Sequence, residues 1–401
     1  MRNILVLFLS LALGVTYASA AALQASQESI DKTKLLFRRI TGVPLNNQDP
    51  RLLQMAQLIE NGEDQKAAAI ATEDVYFYQV TLKNMAAVMS NRTETPYVGL
   101  DDFQATFIGA VRDELDARTL LTGNYLYRDK SNNINSVDPS RQHNIHYEMI
   151  DEQGLDYKSN LVKQEPQWSD MRNHAGLLTT RGWAISHYDA GTNRRAVVYA
   201  IQEFLCTPIE SWKVAHLPDN FIGRDVDRCS GGKWDATQKK CVGDVNPKTF
   251  SDQCQTCHAG MDAQRGAFSS MDTVNGSFVE LPPQRPAPKY SHNSGTYPDG
   301  HITNDDSWTI PLAIFNSQAL GFDSKLPSEG TGINAYAEVL ANSSAFKTCM
   351  AKRVFNQVCM RSSQGKDQAL LKVLANHFEK NNFNLKKLFQ ETAVLPACVG
   401  D

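Results

Sequence analysis

Cys254-Gln255-Thr256-Cys257-His258 is the string in this chain with the most specific chemistry. Two thiols separated by two residues can reach the two vinyl groups of a porphyrin and bond to them as thioethers, while the adjacent imidazole turns towards the iron. The string therefore reads as one covalent c-type haem attachment site, with Cys254 and Cys257 as the attachment thiols and His258 as the proximal iron ligand. Two other chemistries share the spacing. A thioredoxin-like dithiol opens a helix after a buried strand, and Asn246 to Gln253 does not have the pattern of such a strand. A zinc half-site needs a second pair of ligands, and no second CxxC is present. The histidine directly after the second cysteine favours haem.

The residues that follow would shape the haem edge: Gly260, Met261, Asp262, Gly266 and Phe268, with Arg265 as the propionate contact. Met261 lies three residues after His258, so on one helix both side chains share a face and Met261 is a poor distal ligand. The distal candidates are His292 and His301 in a polar loop and Met271 closer to the motif, and an open sixth position stands beside them. This choice separates functions. Two protein ligands favour electron transfer, whereas an open iron binds peroxide or another small oxidant. Arg194-Arg195 also has the charge for a propionate, but an exposed helix surface is the favoured reading, and for Trp308 it is core packing.

The first twenty residues read as a signal peptide. Arg2 gives a short positive start, Ile4 to Val15 is almost wholly apolar, and Ala18-Ser19-Ala20 offers small residues before a cleavage point. The apolar run is too short to span a bilayer comfortably and no second long run follows. Export to the periplasm permits disulfides among the eight cysteines. Besides the motif pair these are Cys206, Cys229, Cys241, Cys349, Cys359 and Cys398. Cys229 and Cys241 bracket a turn-rich loop and form the expected pair there. The three C-terminal cysteines are expected to staple the last helices, with Cys206 joining them to the middle of the chain.

The elements that must carry these residues are mostly helical. Asp49-Pro50 is a cap followed by a first-turn proline, and Leu52, Leu53, Met55, Ala56, Leu58 and Ile59 give its helix an apolar face that ends at Asn61-Gly62. A second helix is expected over Gln65–Ser90, broken near Glu73-Asp74. Asp101 caps a third, with Phe103, Phe107, Val111 and Leu115 inward. Another helix follows Thr192 and ends near Cys206-Thr207-Pro208. Residues 276–330 are rich in Pro, Gly, Ser, Asp and Asn, and read as a connector or as a loop wrapped around a site. Beyond them, Ser344 caps one helix, Asp367–Lys380 forms another, and Leu385, Leu388 and Phe389 mark a last short one. The resulting expectation is a mainly α, multidomain helical protein with an embedded c-type haem segment and irregular connecting loops. Its divisions are 1–20, 26–130, 131–228, 229–330 and 331–401.

Composition sets the outer limits. With 42% hydrophobic and 21% charged residues over 401 positions, the chain has the means to build packed cores and is not a disordered type. A net charge of −4 gives no basis for a general nucleic-acid binder. No ordered Ser/His/Asp set, phosphate-binding glycine loop or paired carboxylates point to a hydrolase.

Several stretches together resemble a broad group of exported bacterial proteins of unassigned activity, the cytochrome-c-associated multidomain family. In that group a stretch like Asn173-His174-Ala175-Gly176-Leu177-Leu178-Thr179 precedes one like Arg195 to Cys206. A haem-type motif followed by Met261-Asp262 and Gly266 comes next. A small helical C-terminal module resembles residues 333–398, above all Ala337-Glu338-Val339-Leu340-Ala341-Asn342-Ser343, Phe346 and Cys349. Near the N-terminus, Phe37-Arg38-Arg39-Ile40-Thr41-Gly42 is similar as well. The resemblance implies a multidomain, mostly helical haem protein and no particular substrate. Two departures stand out: Ala263 occupies a place where members often have Pro, and the acidic residue expected beyond the glycine is missing around Phe268-Ser269-Ser270.

The functional expectation is a periplasmic mono-haem c-type cytochrome carrying one haem c, engaged in electron transfer or serving as a redox component of an envelope assembly. Its expected partner is a redox or envelope protein, with no nucleic acid and no stable membrane span after signal-peptide removal. Two alternatives are a haem enzyme with an open distal iron and a structural or interaction protein stabilised by haem.

Overall fold

The computed structural model describes residues 25–130, 137–189, 191–212, 233–235, 237–238, 240–243, 255–282, 303–317, 321–323 and 325–399. The signal-peptide segment, Cys229, Cys254, His292 and His301 lie outside these residues. Within them the chain is mainly α-helical, and its strands form only two-stranded antiparallel pairs.

In chain order the first part holds α1 (Gln27–Thr41), α2 (Pro50–Glu60), α3 (Asp64–Ala71), a π-helical turn (Phe77–Leu82), α4 (Lys83–Ser90), α5 (Asp102–Arg112) and α6 (Thr119–Thr122). Next come β1 (Leu126–Asp129), α7 (Ile145–Glu152), α8 (Tyr157–Asn160), β2 (Leu161–Gln164), α9 (Arg181–His187) and α10 (Arg194–Leu205). The motif region contributes β3 (Lys233–Asp235), β4 (Lys240–Val242), α11 (Gln255–Met261), β5 (Met271–Val274), β6 (Ser277–Glu280), β7 (Ser307–Thr309), α12 (Pro311–Asn316) and β8 (Glu329–Thr331). The chain closes with α13 (Gly332–Asn342), α14 (Ser344–Val358), α15 (Gln368–Lys380), α16 (Leu385–Ala393) and α17 (Pro396–Val399). The pairs are β1 with β2, β3 with β4, β5 with β6 and β7 with β8.

Local chemistry accounts for most boundaries. Asp49 accepts the backbone N–H of Arg51 at 2.9 Å and Pro50 takes the first turn of α2, where a missing N–H costs nothing. The break expected near Glu73-Asp74 is present: Asp74 accepts the N–H of Tyr76 at 2.8 Å and so starts the next helical turn. Asp101 caps α5 through the N–H of Gln104, and Phe103, Phe107 and Val111 are buried.

Some expectations need correction. Leu53 is 52% exposed, because the apolar stripe of α2 is narrower than its run of apolar residues. Leu115 is not on α5, which ends at Arg112 before Glu114 turns left-handed. The cap of α14 is Ser343, whose extended backbone lets its Oγ accept the N–H of Phe346 at 3.2 Å, while Ser344 is already helical.

One continuous buried cluster runs from Leu36 to Cys398. Phe77 and Phe389 meet edge-to-face at 5.1 Å, and Arg39 donates to the carbonyl of Val358, so the N-terminal helical part packs on the C-terminal helices. Each fully buried large apolar side chain contributes about 1.5–3 kcal/mol relative to exposure. Cys206, at the end of α10, is bridged to Cys349 in α14, and Cys359 to Cys398. Both bridges follow the expected pattern, one joining the middle of the chain to the C-terminal helices and one stapling those helices. For the expected Cys229–Cys241 loop, Cys241 lies on β4 opposite Trp234. No helix among the described residues is long and apolar enough to cross a membrane.

Candidate functional site

Cys257 and His258 sit in α11, both partly buried. The helical path continues one residue past Met261, since the N–H of Asp262 donates to the carbonyl of His258 at 2.8 Å. That i,i+4 relation puts the two side chains on one face. His258 Nδ1 lies 3.5 Å from Asp262 Oδ1.

Asp262 is completely buried, and its charge is matched from far along the chain. Arg194, the first residue of α10, reaches Oδ1 through Nε at 2.5 Å and Oδ2 through Nη2 at 3.4 Å. Thr192 accepts from Nη1 of the same guanidinium. Arg265 is also wholly buried; its Nε donates to Thr303 Oγ1 at 2.8 Å and its Nη1 to Thr192 Oγ1 at 3.4 Å. Burial by itself pushes the Asp262 carboxyl upwards, but Arg194, the neighbouring His258 and the charge of Arg265 together hold it well below the usual carboxylate range. Asp262 is therefore an anion inside the protein.

The chain after α11 turns through a 3-10 segment, Arg265–Phe268, into β5. Gln264 ties this turn to two places: its Nε2 donates to the carbonyl of Gly260 at 2.6 Å, and its Oε1 accepts the Tyr336 hydroxyl of α13 at 2.8 Å. Asn193 donates to the carbonyls of Phe268 and Met271, which fastens the same turn to the start of α10. The described part of the Pro- and Gly-rich stretch is no mere connector. Thr309 N–H donates to the carbonyl of Ala263 at 2.9 Å, and Thr303 meets Arg265, so this stretch lies directly on the site.

Of the residues singled out from sequence, Cys257, His258 and Arg265 come together within one helix and its following turn. Arg265 faces Asp262, Thr192 and Thr303. Met271 is fully buried in the core on β5, and Met261 is buried in the same cluster. Cys254, His292 and His301 lie outside the described residues. Arg194 is not on an exposed surface: its side chain is 18% exposed and committed to Asp262. Trp308 is core, with Nε1 donating to the carbonyl of Gly332 and its ring edge-to-face with Tyr336.

Sequence reasoning missed the buried cluster of Arg194, Thr192, Asp262, Arg265 and Thr303. Its local signals are the i,i+4 spacing of His258 and Asp262 and the nearness of Arg265; Thr192, Arg194 and Thr303 are distant in sequence and follow no period.

Cys257 and His258 are the described part of the thiol-and-imidazole set that a c-type haem takes, and a carboxylate stands 3.5 Å from Nδ1 of that histidine. Among the described residues no group of three or more His, Cys, Asp or Glu side chains could hold a metal ion. No protein-family model, curated protein or solved structure matches the chain.

Proposed function

We propose that this protein is an exported mono-haem c-type cytochrome of the periplasm, and that it belongs with the cytochrome-c-associated proteins it resembles. Cys254 and Cys257 would hold the porphyrin as thioethers and His258 would ligate the iron. The observation that carries the reading is the CxxCH string, whose histidine stands 3.5 Å from the buried carboxylate of Asp262. Bound haem supplies reversible one-electron chemistry. The chain's own part is to fix the imidazole, bury the anion beside it and cover the turn with residues 303–317. The Cys206–Cys349 and Cys359–Cys398 bridges favour an oxidising compartment, as export requires. The large helical remainder is the surface for a redox or envelope partner.

The test is a haem stain of denatured, fully matured protein together with oxidised and reduced visible spectra. Covalent haem in the wild type, absent from a Cys254→Ser, Cys257→Ser double variant, is the expected result. A wild-type protein without porphyrin absorbance, with Cys254 and Cys257 joined to each other, sinks the reading. A permanently six-coordinate low-spin spectrum supports electron transfer, whereas rapid binding of small ligands to the iron transfers the protein to the enzyme alternative.

A further inference from the structure

We propose that the Cys206–Cys349 bridge is a thiol-exchange site, opened from solvent at Cys206 Sγ by a small thiol of the size of glutathione. The proposal is independent of the haem reading.

Three observations carry it. The first is the unequal burial of the two bridged residues. Cys349 is 1% exposed, whereas Cys206, at the C-terminal end of α10, is partly exposed. In the other bridge Cys359 and Cys398 are 5% and 1% exposed, so both of its ends are enclosed. The second is a cavity of about 400 Å³ with Cys206 in its wall, alongside Gln202, Glu203, Pro208, Lys352 and Arg353. That volume falls within the range of small-molecule sites, roughly 300–1,000 Å³, and suits a tripeptide thiol better than the broad contact face of a protein reductant. The third is the backbone of Cys206, which caps α10 in the left-handed region at φ 52°. A residue with a Cβ is held there at a cost, so opening the bridge releases a constraint on it.

The chemistry follows from which sulfur can be reached. A thiolate attacks Cys206 Sγ and forms a mixed disulfide there; the bond of the bridge breaks and its electron pair leaves with Cys349. The Cys349 thiolate takes a proton from water, and the new thiol lies 3.6 Å from the carbonyl oxygen of Glu203, an acceptor for its S–H. That carbonyl is fixed, because Arg353 Nε donates to it at 2.8 Å. A second thiolate then attacks the sulfur of the attached small thiol, forms the oxidised small disulfide and leaves Cys206 as a thiolate that is protonated in turn. Two small thiols are oxidised and one bridge is reduced. The covalent tie between α10 and α14 is lost, while the tie from Cys359 to Cys398 stays.

The experiment incubates the matured, full-length protein with millimolar reduced glutathione under native conditions. Samples are quenched with acid, alkylated with N-ethylmaleimide and read by peptide mass spectrometry at Cys206, Cys349, Cys359 and Cys398. At the earliest time points a glutathione adduct on Cys206 with alkylated Cys349 is expected, formed roughly tenfold or more faster than Cys359–Cys398 opens. An adduct first seen on Cys349 overturns the proposal. So do equal rates at the two bridges, the mark of exchange through global unfolding, and so does a native Cys206–Cys349 bridge that stays closed while a urea-unfolded control is reduced. In a parallel arm with thioredoxin, opening by the protein dithiol and none by glutathione also overturns it.

Discussion

Arg194 and Asp262, 68 residues apart in sequence, form an ion pair with Nε and Oδ1 at 2.5 Å, and the carboxylate is wholly enclosed. Removing one partner of such a pair leaves a buried charge with too little compensation, a loss of about 3–5 kcal/mol. Arg194→Met is therefore expected to lower unfolding stability by that order in urea titration, mainly through the midpoint. A double variant with Asp262→Asn should recover part of the loss. Strict additivity of the two single changes would show that the residues do not interact.

Gly266 is where the covering segment touches the site most closely. A Cβ built there would stand 1.7 Å from the carbonyl oxygen of Ser307, a backbone atom that cannot swing aside. Gly266→Ala must push β7 away from the turn after α11. The expected outcome is faster amide hydrogen exchange at Ala263–Phe268 and Ser307–Thr309, with helices α1–α3 unaffected. Unchanged protection at Thr309, whose N–H donates to Ala263, would contradict this packing.

His187 gives stability a pH dependence of defined sign. It is completely buried, its ring tilted against Trp183 at 4.0 Å and near Tyr199 at 4.6 Å. Burial, then the cations Arg195 and Arg92, hold its pKa well below the ordinary 6.5. The unfolded chain takes up this proton below pH 6.5 while the folded one does not, so stability is present above that value and falls as the solution is acidified. One such proton corresponds to a limiting slope of about 1.4 kcal/mol per pH unit. In chemical denaturation between pH 7 and 5, His187→Phe should lose stability less steeply than wild type. Parallel curves would remove His187 from the account.

The Cys206–Cys349 bridge closes a long loop, its ends 143 positions apart in sequence, and joins α10 to α14 beside the Arg353–Glu203 ion pair. Replacing both cysteines by serine is expected to lower stability by about 2–5 kcal/mol. The measurement is thermal or urea unfolding of the double variant against wild type, without reductant. An equal midpoint would show that the bridge contributes nothing to this fold.

Much of the local structure was legible in the residues themselves. Asp49-Pro50, Asp101 and the break at Glu73-Asp74 act within a few positions of chain, and so their capping follows from side-chain chemistry alone. The CxxCH string and the distribution of the C-terminal cysteines were readable for the same reason. The errors fell where one turn of helix decides the answer, as at Ser343 and Leu53.

The sequence alone thus determined a helical protein, the positions of its strongest caps and the thiol-and-imidazole string at its centre. Only the tertiary structure decided that Asp262 is buried, that Arg194 leaves the surface to meet it, and that Thr303 and Ser307 close over Arg265 and Gly266. The physical reason is range. A cap or a covalent motif is satisfied by neighbours along the chain, whereas enclosing a charge depends on partners that only the folded path brings within a few ångströms.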